Sequence, residues 1–168
     1  MNPYAAALVL FVAVVAQVSV MPSASLGSAV PHLPLLVIVS CGYVRGARTG
    51  LLWALAAGLL CDQLSAAPIG TYTLPLAAAA IVVGRGSGRL ADSIFMPAAL
   101  AAAATVVFVL VQMVVLALGG NVVAWSWTAV ARLVVPAVLL NLLWLPVVYF
   151  PLRWSMRRAD GPRLAWER

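Results

Sequence analysis

The sequence has little charge, and this scarcity decides the class of protein. Only 8% of the 168 residues are charged, whereas 65% are hydrophobic. A soluble domain needs about a quarter of its residues charged to cover its surface. The chain therefore cannot form an ordinary soluble domain, and we predict an integral membrane protein.

Acidic residues, histidine and cysteine are also scarce, and their scarcity argues against catalytic and metal chemistry. Four acids, one histidine and two cysteines form no carboxylate pair, Ser/His/Asp arrangement or metal-ligand spacing. His32 lies among prolines without a second ligand nearby. Cys41 and Cys61 fall near opposite faces of the predicted membrane, too far apart for a disulfide. We expect no reaction, no cofactor and no metal.

Long hydrophobic runs are what the sequence does contain, and they predict an all-α integral membrane protein. A spanning helix needs about 20 residues, and the second and third runs are shorter, so a re-entrant pair is their alternative. No basic residue precedes the first run, which favours a span over a cleaved signal peptide. We predict a six-transmembrane-helix bundle in one domain over residues 1–152, with spans at about 4–21, 33–45, 49–63, 72–84, 97–118 and 128–150.

The basic residues, all of them arginine, alternate between the predicted loops. Arg45 and Arg48 share one loop, Arg85 and Arg89 share another, and five arginines lie in a tail over residues 153–168. The loops between them carry none. Cytoplasmic loops are enriched in basic residues, so we predict both termini in the cytoplasm and the tail against anionic lipid. The net charge of +6 then reflects membrane orientation and not nucleic-acid binding.

Two charged residues fall within the predicted spans, where an unpaired charge is costly. Asp62 is expected at the outer end of the third span, and Arg132 lies about one turn inside the outer end of the sixth. We predict that they form a buried pair. The alternative is that Arg132 extends to the outer headgroups while Asp62 caps its own loop through contacts with the Ser65 backbone.

Three amides also fall within the predicted spans, namely Gln17, Gln112 and Asn141. A polar pocket opening outward would collect them with Asp62. The alternative is that each amide forms a hydrogen bond to one neighbouring helix.

The stretch over residues 58–72 reads GLLCDQLSAAPIGTY, and it resembles the signature of the MreD family. Chain length, span count, the preceding arginine turn and the absence of a soluble domain are also similar to that family. The long basic tail and the short second span depart from its pattern. The residues that match the motif are Asp62, Ser65, Pro68, Gly70 and Tyr72.

The resemblance implies a rod shape-determining protein of the bacterial inner membrane. MreD-like proteins belong to the elongasome, which directs lateral peptidoglycan synthesis. The implied partners are MreC, which has a single membrane span, together with MreB, RodZ, RodA and a penicillin-binding transpeptidase. The family is also similar in fold to the S-components of energy-coupling-factor transporters. This similarity gives a second hypothesis, a substrate-binding subunit of a vitamin or small-molecule transporter.

Overall fold

The computed structural model describes residues 3–19, 30–65, 68–86, 95–121 and 125–159. Within these ranges the regular secondary structure is α-helical, as predicted. Side chains are described from residue 7 to residue 153 within these ranges. Each of the six helices overlaps one predicted span. The helices are α1 Pro3–Ser19, α2 Leu33–Arg45, α3 Ala47–Leu64, α4 Thr73–Gly86, α5 Met96–Leu118 and α6 Trp127–Ala159.

α6 differs most from its prediction. Pro151 was expected to end the helix near residue 150, but α6 continues through Pro136, Pro146 and Pro151 to Ala159. A proline removes one backbone hydrogen bond, yet its fixed φ is compatible with a helix. α6 therefore extends across residue 153, where the tail was expected to begin, and the boundary between the membrane domain and the tail stays a prediction. Residues 160–168 lie outside the described part of the chain.

α2 is the central helix, and it packs against each of the other five. Its residues from Pro34 to Gly42 are all buried. The one hydroxyl among them, on Ser40, donates to the Leu36 carbonyl at 2.7 Å. A helix that is apolar all round is stable only when other elements surround it, so the composition of α2 accounts for its central position.

α2 and α3 form the predicted helical hairpin around Gly46, which has a φ of +91°. The two arms approach closely because glycines face each other. A Cβ atom added to Gly50 would lie 2.9 Å from the Cα of Gly42. The far ends of the hairpin also meet, since His32 and Cys61 line one small cavity. Cys41 and Cys61 are both buried free thiols.

One end of the bundle carries four of the five arginines whose side chains are described, and we call it the arginine end. Tyr43 of α2 meets Tyr149 of α6 with ring centroids 6.4 Å apart, and the Arg153 guanidinium lies 5.6 Å from the Tyr149 ring centre. The end of α2 therefore adjoins this part of α6. The exposed arginines at this end are Arg45, Arg48, Arg85 and Arg153.

The helical parts of α2 and α4 are shorter than a hydrocarbon layer is thick, so non-helical residues must complete each crossing. They have 13 and 14 residues. At 1.5 Å per residue each is about 20 Å long, against a layer about 30 Å thick. Both helices have their C-termini at the arginine end, so their N-termini stop roughly 10 Å short of the other surface of a membrane. Lipid offers no hydrogen-bond acceptors to those backbone N–H groups, so the protein must supply them.

Candidate functional site

Asp62, near the end of α3, caps the N-terminus of α4. Its Oδ2 accepts hydrogen bonds from the N–H of Gly70 at 2.8 Å, and from Thr73 through its N–H at 3.3 Å and its hydroxyl at 2.6 Å. Its Oδ1 accepts from the N–H of Tyr72 at 2.8 Å. Only 4% of Asp62 is exposed. One carboxylate thus satisfies donors that the short helix would otherwise leave bare. We call this group the Asp62 cap.

The other motif residues shape the loop so that these N–H groups converge. Gly70 has a φ of +98°, which a residue with a side chain rarely adopts. The Pro68 carbonyl accepts from the N–H of Thr71 at 3.2 Å and from its hydroxyl at 2.7 Å, which closes the turn. Ser65 ends α3, where its N–H donates to the Cys61 carbonyl at 2.8 Å. The hydroxyl of Ser65 is buried without a hydrogen-bond partner in the described structure.

Arg132 does not belong to this site, so the predicted pair of Asp62 with Arg132 is wrong. Arg132 is exposed near the Trp127 end of α6, whereas Asp62 is buried. The donors that occupy Asp62 lie only 8 to 11 residues away along the chain, so little loop-closure entropy is lost when they bind. The alternative, that Asp62 caps its own loop, is confirmed. The donors are on Gly70, Tyr72 and Thr73 and not on Ser65.

Gln17 and Asn141 form a second cap, on the N-terminus of α2, which we call the amide cap. Oε1 of Gln17 accepts from the N–H of Leu33 at 2.9 Å, and Oδ1 of Asn141 accepts from the N–H of His32 at 2.8 Å. Nδ2 of Asn141 donates to the Thr105 hydroxyl at 3.0 Å. The amide cap therefore joins α1, α2, α5 and α6 at one level of the bundle.

The two caps adjoin across a cavity of about 10 Å³. Gln17 and His32 line it from the amide cap, Tyr72 lines it from the Asp62 cap, and the His32 and Phe108 rings lie 4.5 Å apart between centroids. Such a cavity holds about one water-sized probe, whereas pockets for small molecules measure roughly 300–1,000 Å³. The polar groups therefore meet, but they leave no room for a ligand between them.

Gln112 lies outside both caps. It is half-buried on α5 and forms no hydrogen bond within the described part of the chain. The prediction that it shares a pocket with the other amides and Asp62 is therefore wrong. For Gln17 and Asn141 the alternative, a hydrogen bond to one neighbouring helix, is confirmed. Gln17 bonds to the first residue of α2, and Asn141 bonds to the residue before α2 and to α5. Their exposed surface is too small for an open pocket, at 9% for Gln17 and 0% for Asn141.

Replacing Asn141 with leucine should destabilise the fold by about 2 kcal/mol, because it leaves the His32 N–H buried without an acceptor. Leucine has the same branched outline as asparagine, so no cavity forms, although its methyl groups are larger than the amide atoms they replace. Thermal unfolding in detergent measures the destabilisation. The matched control is Gln112→Leu, which makes the same chemical change outside the caps and should leave the midpoint within about 2 °C. Equal destabilisation by the two variants would contradict the assignment of the amide cap.

Thr73 and Thr105 belong to the caps but were not predicted from the sequence. Thr73 begins α4 directly after the glycine turn, and a threonine at a helix start is a recognisable signal for capping. Thr105 gave no such signal. Its hydroxyl also donates to the Ala101 carbonyl of its own helix at 2.7 Å, which any helical threonine can do.

The family model of the rod shape-determining protein MreD matches residues 3–158. The chain belongs to the MreD family. The match extends over α1 to α5 and nearly all of α6, so both caps lie within it. No curated protein and no solved structure matches the chain significantly.

Membership in the MreD family makes this a membrane protein with a role in determining cell shape. Within the described residues, two helices are long and apolar enough to cross a membrane, Met96–Leu118 and the part of α6 over Trp127–Arg153. MreD proteins form a family of shape-determining proteins and not a known family of enzymes. The similarity to S-components of energy-coupling-factor transporters stays a prediction, because no solved structure matches.

Proposed function

We propose that this MreD-family chain is a non-enzymatic component of the bacterial elongasome, and that it regulates lateral peptidoglycan synthesis by forming a complex with MreC. It would lie in the inner membrane with six spans and both termini in the cytoplasm, the arginine end facing the same side. MreB, RodZ, RodA and a penicillin-binding transpeptidase would be further members of the assembly. One observation supports this proposal most directly: the buried polar residues form hydrogen bonds within the chain.

The six polar residues that are buried in the described helices and loops are occupied by the protein itself, since each forms a hydrogen bond within the chain, mostly at a cap or a helix turn. The exception among polar atoms is the Ser65 hydroxyl, which is buried without a partner in the described structure. Side chains that are satisfied in this way are poor candidates for binding a ligand or transferring protons. The chain therefore acts through its surfaces. The buried polar residues are Gln17, Ser40, Asp62, Thr71, Thr105 and Asn141.

A surface suited to the single membrane helix of MreC lies between α1 and α6, which flank α2 and do not contact each other through their described residues. Val12 and Val147 stand on its two walls and are 58% and 61% exposed. Alanines on α1 leave space, and small residues let a neighbouring helix approach closely. This α1–α6 groove has a volume of about 430 Å³ and is lined by Val9, Val12, Ala13, Ala16, Leu33, Val37, Val147, Val148, Pro151 and Leu152.

Filling the α1–α6 groove should disrupt the complex while the bundle stays folded. We expect Ala16→Trp to reduce the MreC that co-purifies in detergent by at least about tenfold, since misfit at a packed contact costs about 1.4 kcal/mol or more. Full-length MreC from the same genome is co-expressed, and the bound amount is measured per folded chain.

The control for this experiment is Ala56→Trp, which adds the same side chain at an exposed position on α3. It should leave MreC binding unchanged. Equal binding by Ala16→Trp and the control would show that MreC docks elsewhere. A chain that never retains MreC, and purifies with a small molecule bound, would instead support the transporter-subunit alternative.

A further inference from the structure

A second groove, at the arginine end between α3 and α4, combines charge with apolar surface. Arg48 lies in the first turn of α3 and Arg85 in the last turn of α4, and both are exposed. Their side chains border the same open space of about 510 Å³. We call it the arginine groove, and it is lined by Ala47, Arg48, Leu51, Ile81, Gly84 and Arg85.

The two helices present the same order of side chains to the arginine groove. Leu51 follows Arg48 by three residues, and Ile81 precedes Arg85 by four, so each aliphatic side chain lies one turn from its arginine on the same helix face. Because α3 begins and α4 ends here, both aliphatic residues lie deeper in the bundle than the arginines. Ile81 is 43% exposed. The groove is therefore cationic at the surface and apolar just below it.

Within the described ranges, no carboxylate lies beside these two guanidinium groups. Asp62 is the one acid within the described ranges. It lies at the other end of α3, roughly 20 Å from Arg48 at 1.5 Å per residue, and its oxygens are occupied by the α4 cap. Two neighbouring cations that no acid of the described residues neutralises attract an anion.

We propose that the arginine groove is a binding site for one anionic phospholipid, with its phosphate between Arg48 and Arg85 and an acyl chain over Leu51 and Ile81. Charge complementarity argues for the headgroup, and the apolar floor on the membrane side argues for a lipid over a free anion. Basic pockets between membrane helices commonly bind such headgroups. The proposal does not depend on MreC, because the site lies on α3 and α4, away from the α1–α6 groove.

The test titrates the purified full-length chain with phosphatidylglycerol and measures the dissociation constant of the first bound lipid by native mass spectrometry. Removing both charges with Arg48→Gln and Arg85→Gln should weaken binding about 25-fold, at roughly fivefold for each basic residue near the surface. The matched control, Arg45→Gln with Arg153→Gln, removes the same charge at the same end but outside the groove. It should change the constant by less than about threefold, the scale of screened charges at a distance.

A second variant tests the apolar floor without altering charge. Ile81→Trp fills the groove from an exposed position and should weaken phosphatidylglycerol at least fivefold, while far-UV circular dichroism confirms the helical content. Phosphatidylcholine and inorganic phosphate serve as competing ligands and should not displace the lipid. Equal effects of the two double variants, unchanged binding by Ile81→Trp, or displacement by inorganic phosphate would each overturn the proposal. Lipid binding that depends on Arg48 and Arg85 but is unchanged by Ile81→Trp would show that the groove recognises negative charge alone, as it would in an acidic protein segment.

Discussion

Asp62→Ala should be the most destabilising single substitution in the motif, at about 4 kcal/mol. The change removes the acceptor of three backbone N–H groups and one hydroxyl. Hydrogen bonds to a charged group contribute about 1.5–3 kcal/mol each. Because these bonds share one acceptor group, the total loss is smaller than the sum of the single contributions. For a chain of this size the unfolding midpoint in detergent should fall by about 10 °C. Asp62→Asn keeps one acceptor oxygen and should lie between the alanine variant and the native chain.

Two controls make this result specific to the Asp62 cap. Gln63→Ala removes an exposed polar side chain at the next position and should change the stability by no more than about 0.5 kcal/mol. Arg132→Gln should have an equally small effect, and its combination with Asp62→Asn should be additive, because the two residues do not pair. A melting curve for Asp62→Ala that overlays the native one would show that the cap contributes nothing to stability.

Gly58→Ala should be nearly as damaging, although it adds only one methyl group. A Cβ atom on Gly58 would lie 2.4 Å from the Cα and 3.0 Å from the N of Thr73. These are backbone atoms at the start of α4, so no side chain can rotate away, and the helices must separate. We expect a loss of about 3 kcal/mol, the upper end for overpacking in a core, measured by thermal unfolding in detergent.

The effect of Gly58→Ala should overlap with that of Asp62→Ala. Thr73 is both the residue that contacts Gly58 and a donor to Asp62, so one separation of α3 from α4 removes both interactions. The double variant should therefore lose less stability than the sum of the single variants. Ala56→Val adds carbon at an exposed site on the same helix and serves as the control. Strict additivity of Gly58→Ala with Asp62→Ala would show that the packing and the cap are independent.

The two caps explain why polar residues persist in so apolar a chain. α2 and α4 begin inside the predicted membrane layer, where an unsatisfied N–H group costs several kcal/mol. Asp62 supplies acceptors to α4, while Gln17 and Asn141 supply them to the start of α2. The short helices therefore require the buried acceptors, because the acceptors satisfy the N–H groups at the helix starts. The stretch over residues 58–72 thus maintains the α3–α4 junction through the Asp62 cap.

Much of the architecture follows from local sequence patterns. Hydrophobic runs between turn signals predicted each helix to within a few residues at most boundaries, and the arginine turn predicted the α2–α3 hairpin. The sequence also placed Asp62, Pro68, Gly70 and Tyr72 around the junction of the third and fourth spans, and in the structure the N–H groups of Gly70 and Tyr72 donate to Asp62 while the Pro68 carbonyl closes the turn. The end of α6 was not predictable in this way, because a proline only weakens a helix and its surroundings decide whether the helix continues.

By itself, the sequence determined the membrane class, the number of helices and the concentration of arginine at alternate turns, because composition and periodicity act over short stretches of chain. Only the tertiary structure decided the partners of the polar groups. Asn141 bonds to the N–H of His32, 109 residues away, and Arg132 is left exposed although it seemed the natural partner of Asp62. Such choices depend on where a helix ends relative to its neighbours. That position is a property of packing, because buried N–H groups take whichever acceptor the packed helices bring within hydrogen-bond distance.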